Sequence, residues 1–501
     1  MKQILLPLIL LASLFFRIYD LKNVPSGLYW DEQDTSYQAY SLLSTGRDYF
    51  GNFLPLFPHS FADFRTPVNI YFTVPLVKLF GLTYLPSRLT AVIFGFLTLP
   101  IVFYLTGKRY LPLLFLAFSP WHFLFSRYNG EITSMLFFIF TGLLLFYRKK
   151  PILSLIFFIL SIASYSPAKF FTPILVLYLF RLKFRYLFLF IILCLPLLIS
   201  TVGSSRFHDL AIFTDPQLAN TVDYQRKLRL LSRDSTPDVG SSPTFADKLF
   251  VNKFTILSNT FIRNYLSNFS TEFLFLTGDR NLRHSTGLGQ LYPIDALLLI
   301  IGFICISRHK NRMTYLIILM LIIAPIPSAL TRDGFSHAGR SALLLIPFTL
   351  LIASFKFPKF LLPLYLIPIA FFLQNFYSYY RLTSPLYFDY GYDQAVDLAK
   401  ASEFPQVWLD FHNDSPLMSY LFYAKVPPGE FQKSLPLKAV DLGQGISAYK
   451  FGNIFTLLPG ERNYNVQSPP KETLVIAKTE KKPALISYPD GSPEFQLFIF
   501  N

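Results

Sequence analysis

Residues 4–32 read ILLPLILLASLFFRIYDLKNVPSGLYWDE: an uncharged run over 4–16, then Arg17, then a polar exit that ends in Trp30-Asp31-Glu32. Two adjacent carboxylates are costly to keep near lipid, so a pair placed at the end of an apolar segment points to chemistry at a membrane surface. The apolar run behind Lys2 has the outline of a secretory signal peptide. No small-x-small cleavage site follows it and Arg17 sits there instead, so the segment is expected to stay as an anchor.

The rest of the chain continues in the same style. Of 501 residues, 52% are hydrophobic and 15% charged, a balance too apolar for a soluble protein of this size, and the chain reads as a polytopic membrane protein. The formal net charge of +15 would suit nucleic acid, but the cations fall mostly in short loops between apolar runs, so no nucleic-acid partner is expected. Cys194 and Cys305 both lie inside apolar runs, which excludes a disulfide framework or a cysteine-type zinc cluster.

A helix needs about 20 residues to cross about 30 Å of hydrocarbon. Candidate spans have cores at 4–16, 85–104, 111–125, 132–147, 152–165, 170–180, 186–202, 291–307, 315–330, 342–355 and 360–376. Reading the further run 68–80 as an interfacial or half-inserted helix puts every short basic loop on one side: Lys108-Arg109, Arg148 to Lys150, Arg181 to Arg185, Arg308 to Arg312 and Lys356 to Lys359. The N-terminus is then cytoplasmic. The outer side carries loops over 20–87 and 203–290 and a tail from about 377. The expected division is a transmembrane catalytic domain over 1–380 and an extracytoplasmic domain over 381–501. Strand-like runs at 406–411, 453–458, 473–477 and 495–500, with a helix-like stretch at 395–401, make that tail a small mixed α/β domain.

Asp31 and Glu32 are the first candidates for chemistry, because a carboxylate is the natural general base for activating a hydroxyl. Their structural role would be to cap the helix that follows, with Asp34. Glu131 opens the span at 132–147 on the same face; otherwise it is a partner for Arg127 or a favourable helix N-terminal charge. Cations at outer span ends run against the positive-inside trend. Arg65, Lys169, Arg283, His337 and Arg340 together suggest an anionic ligand, although each alone could be a lipid-headgroup anchor. Asp31, Glu32 and Glu131 offer oxygen ligands to a divalent metal, but their spacing specifies none, and no cofactor motif is present.

Several phrases, Gly27-Leu28-Tyr29-Trp30-Asp31-Glu32, Arg65-Thr66-Pro67, Arg88, and Ser119-Pro120-Trp121-His122 followed by Ser126-Arg127, together with this topology, resemble the GT-C glycosyltransferases, in particular the protein O-mannosyltransferase and aminoarabinose transferase group. The resemblance covers the chain to about residue 380. It implies a polyprenyl-phosphate-linked sugar donor lying among membrane lipids, inverting transfer of a hexosyl or pentosyl group to a hydroxyl acceptor, and Asp31 as the base with Glu32 beside it. It also implies Glu131 as a second acid, and Arg65 and Lys169 near the lipid phosphate. Thr66-Pro67 stands where some relatives have two prolines, and the tail matches none of them, so the acceptor stays open. A transporter or flippase of lipid-linked saccharides, using the same cations without bond chemistry, is the competing reading.

Overall fold

The computed structural model describes residues 2–61, 63–181, 183–202, 210–233, 242–411, 415–460, 469–478 and 486–500. Parts of two expected regions, 203–209 and 234–241 of the long loop and 412–414, 461–468 and 479–485 of the tail, lie outside the described residues. The first ten helices are α1 (Lys2–Ile18), α2 (Trp30–Thr45), α3 (Pro67–Phe80), α4 (Leu85–Leu105), α5 (Tyr110–Phe118), α6 (Pro120–Tyr128), α7 (Gly130–Tyr147), α8 (Pro151–Ile162), α9 (Ala168–Phe180) and α10 (Phe184–Val202). Among the described residues, Leu85–Leu105, Gly130–Tyr147 and Arg312–Ala329 can each cross a bilayer by length and composition, and seven shorter apolar helices accompany them. The chain is a helical, multi-pass membrane protein with an α/β tail.

The expected span at 111–125 is broken in two. Pro120 brings no N–H and drives the residue before it out of the helical region. Ser119 accordingly sits at φ −57°, ψ 136° between α5 and α6 and caps the second helix by accepting from the His122 N–H. The run at 68–80 forms α3, whose 14 residues extend about 21 Å at 1.5 Å per residue, short of the hydrocarbon thickness.

Two buried arginines fold the segment after α1 back over the end of the bundle. The last carbonyls of a helix have no partner within it, and Arg127 supplies one by donating to Phe16 O at 2.6 Å, Arg17 O at 3.0 Å and Tyr19 O at 2.9 Å. It also donates to Val24 O, so the Arg127–Glu131 pairing considered from sequence gives way to a backbone clamp. Arg88 does the same for Leu21 O at 2.6 Å and Pro25 O at 2.9 Å. Gly27, at φ +86°, completes the turn; a Cβ there would lie 2.0 Å from Phe388 O.

This turn delivers α2, a polar helix whose Gln33, Asp34, Ser36 and Gln38 are all buried. The tail covers it. Helices Leu417–Tyr423 and Pro428–Lys433 lay Leu417, Leu421 and Phe431 against Leu28, Tyr37 and Tyr49. Ser419 donates to Gln33 Oε1 at 2.8 Å and the Tyr37 hydroxyl to Val426 O at 2.9 Å.

Among the described residues the tail sheet has seven strands in the order β2-β3-β4-β1-β5-β7-β6, where β1 is Gln406–Asp410, β2 Val440–Asp441, β3 Ser447–Phe451, β4 Ile454–Leu457, β5 Thr473–Lys478, β6 Ile486–Ser487 and β7 Pro493–Phe500. Central β1 runs parallel to β4 and β5, with Val407 opposite Ile454 and Trp408 opposite Val475; the other pairs are antiparallel. The four expected strands are β1, β4, β5 and β7, and the expected helix is the second half of Tyr392–Ala401.

Candidate functional site

Helical geometry decides what the Trp-Asp-Glu triplet presents. Tyr29 is the N-cap of α2, and Glu32, three positions in, reaches back so that the Tyr29 N–H donates to its Oε2 at 3.1 Å. Its other oxygen accepts from Arg88 Nε at 2.9 Å. Both oxygens of Glu32 are therefore engaged in fixing the first turn. Burial pushes this carboxyl up to about 7, with Arg88 opposing the rise. Because 7 exceeds the ordinary 4.5, the folded chain holds the extra proton between those values and the group's contribution to stability falls as pH rises through that window. Glu32→Gln is expected to flatten this fall, measured as Tm against pH from 4.5 to 7.

Asp31 and Asp34 are three residues apart and share a face of α2. Arg65 bridges them. Its Nη2 donates to Asp31 Oδ1 at 2.7 Å and its Nε to Asp34 Oδ2 at 3.0 Å. Asp34, fully buried, also accepts from the Tyr49 hydroxyl at 2.7 Å and the Ser60 hydroxyl at 3.0 Å. Burial lifts the Asp34 carboxyl above its usual value against the pull of Arg65, which gives each of the two carboxylates one charge-assisted bond. The Arg65 side chain is 2% exposed, whereas Asp31 is 43% exposed. One carboxylate of the pair is an internal strut and the other faces outward.

Glu131 joins this group through the packing of α3 on α7. It lies in the first turn of α7, where Asn129 Oδ1 accepts from the Ile132 N–H, and Gly130 beside it lets Asn69 of α3 approach; a Cβ at Gly130 would stand 2.0 Å from Asn69 Oδ1. Burial works against the charge on Arg65, but Asp31, Asp34, Glu131 and Asp63 outweigh it and hold the guanidinium well above its ordinary pKa. Gly130→Ala is expected to separate α3 from α7 at a cost of about 1–3 kcal/mol, visible as a lower Tm in detergent.

The cations divide between two places. Lys169, in the first turn of α9, lies 5.7 Å from the Phe57 ring of the first loop, and the turn before it is tied to Thr66, whose hydroxyl donates to Ser164 O at 2.8 Å. The Arg283 guanidinium stacks 3.7 Å from the Tyr29 ring centroid, beside the start of α2. His337 and Arg340 belong to a neighbouring group. Arg340 pairs with both oxygens of Asp333 and with Thr331, while the His337 ring lies 4.7 Å from that of His284, whose Nδ1 is 3.1 Å from Asp279 Oδ2. Burial, then His284 and Arg340, hold His337 well below the ordinary imidazole pKa. An ideal Cβ at Gly339 would touch Ile132 at 3.5 Å, placing this group against the start of α7.

Sequence reasoning missed Asp34 as the second anchor of Arg65, although its spacing from Asp31 was visible, and it missed Arg88 as the partner of Glu32. Open depressions of about 430 Å³ beside Lys183–Tyr186 and about 420 Å³ between Ala219 and Phe254 are lined by none of the site residues.

No family model matches the chain, and no curated protein matches it. A solved structure, ArnT from Cupriavidus metallidurans bound to undecaprenyl phosphate, is similar at 12% identity and a TM-score of 0.35, over 84% of this chain and 85% of that one.

Proposed function

We propose that the chain is a membrane glycosyltransferase that moves a sugar from a polyprenyl-phosphate carrier to a hydroxyl acceptor at the extracytoplasmic face. The observation that carries this reading is the outward-facing Asp31 carboxylate fixed by a buried Arg65, with Glu131 close enough to act on the same guanidinium. A carboxylate locked in place and reachable from outside is what a general base requires.

In the proposed step the acceptor oxygen attacks the anomeric carbon, the bond from that carbon to the phosphate oxygen breaks, Asp31 takes the hydroxyl proton, and the polyprenyl phosphate leaves. A single displacement inverts the anomeric centre. Arg65 is already engaged by Asp31 and Asp34, so its role is to aim the base. Lys169 and Arg283, at the rim of the same region, are the proposed partners of the departing phosphate, a preorganised electrostatic role. Glu131 would orient the acceptor. Glu32 acts through the cap it forms, and His337 and Arg340 belong to the neighbouring Asp279 and Asp333 group.

The test supplies membranes containing the protein with a panel of polyprenyl-phosphate sugars, each radiolabelled in the sugar. Label moving from the carrier to a hydroxyl-bearing product is expected for one of them. Label that crosses the membrane while staying on its carrier favours the flippase reading and overturns transfer.

A further inference from the structure

Outside the Asp31 region, the described residues hold a second convergence of ligating groups. Asp279 and His284 lie on the loop before the helix Pro293–Ser307, and His337 stands more than fifty residues later, at the N-cap of the short helix Ala338–Ser341. One ligand atom from each lies within 4.8 Å of the others. A tetrahedral zinc ion with ligand bonds of about 2.0–2.1 Å places its ligand atoms about 3.3 Å apart, so closing the group around an ion requires movements of side-chain size.

We propose that Asp279, His284 and His337 form a binding site for one divalent transition-metal ion of the zinc type. Two imidazoles and one carboxylate suit zinc and its neighbours, whereas magnesium and calcium select all-oxygen sets. The carboxylate is held for the purpose: Asp279 Oδ2 accepts from the Ala338 N–H at 2.9 Å and Oδ1 from the Asn281 N–H at 2.9 Å. Such outer hydrogen bonds orient a ligand before the metal arrives. The bond from the Arg340 N–H to His337 Nδ1 is long, at 3.4 Å, and is readily exchanged for a metal. Arg340 is neutralised by Asp333, which removes one cation that would oppose a bound ion, and Arg283 is directed at Tyr29. Three protein ligands leave a fourth position for water.

The site clips two loops together. With an ion in place, the 279–284 loop is fixed to His337, and Arg283, next in chain to His284, is fixed over Tyr29. The metal is thus proposed to act on position, not on the sugar chemistry, and its binding is independent of the transferase reading.

The experiment uses the untagged full-length protein in detergent, stripped with EDTA, titrated with zinc chloride and read by elemental analysis and by Tm. Wild type is expected to retain about one zinc ion per chain and to gain Tm on zinc addition, reversed by EDTA. His284→Gln and His337→Gln are each expected to weaken zinc binding at least about tenfold, with Tm in EDTA matching wild type, while His309→Gln binds as wild type does. No retained zinc in wild type, or retention as in wild type by both Gln variants, overturns the site. Should a Gln variant fail to fold, the wild-type titration decides: a Tm indifferent to zinc and EDTA overturns it equally.

Discussion

Asp31→Asn is expected to lower sugar transfer by about 10²–10⁴-fold, the contribution of a positioned general base, while the protein folds and inserts normally. The amide keeps the shape and one oxygen acceptor for Arg65 but cannot take a proton from an incoming hydroxyl. The cost to stability is small because the lost ion pair is 43% exposed on the carboxylate side, and such half-solvated pairs contribute about 1 kcal/mol or less. Turnover with saturating donor, alongside Tm in detergent, separates the two effects. Undiminished turnover would remove Asp31 from the mechanism. Asp34→Asn is the instructive contrast: with its side chain buried and three hydrogen bonds converging on it, its loss is expected to appear in Tm.

Arg65→Ala carries the largest expected effect on folding. Removing the guanidinium leaves Asp34 as a buried carboxylate without its ionic partner, a loss of about 3–5 kcal/mol, and it frees Asp31 to move. Arg65→Lys is expected to rescue little. A lysine offers one compact ammonium where the planar fork of arginine spans two carboxylates at 2.7 and 3.0 Å. Tm and transfer rate should fall together in both variants. A stable Arg65→Ala protein that uses donor normally would contradict the positioning role.

Much of this arrangement is legible in the sequence because charge is conspicuous in an apolar chain. Asp31, Glu131, Arg65 and Lys169 stand out at span ends, and the buried strands of the tail, such as β1 and β5, stand out as apolar runs with turn residues on either side. The pairing of those charges was less visible. Glu32 reads as a twin of Asp31 in sequence, yet one helical step of about 100° turns it to Arg88 and the cap. Arg127 reads in sequence as a candidate partner for Glu131, but unfilled carbonyls at the end of α1 take its donors, and nothing in a local pattern announces them. Short or half-exposed strands, β2 and β6 among them, carry too few residues to show alternation. The break at Ser119 follows from the Ser-Pro pair, a signal that the hydrophobicity on either side masks.

The most direct measurement is the stereochemistry of transfer. Given a polyprenyl-phosphate sugar of known anomeric configuration, the wild-type protein should yield a glycoside of the opposite configuration by NMR, since one displacement assisted by Asp31 inverts the centre once. A product with retained configuration, or a sugar recovered only on its original carrier, would contradict the account.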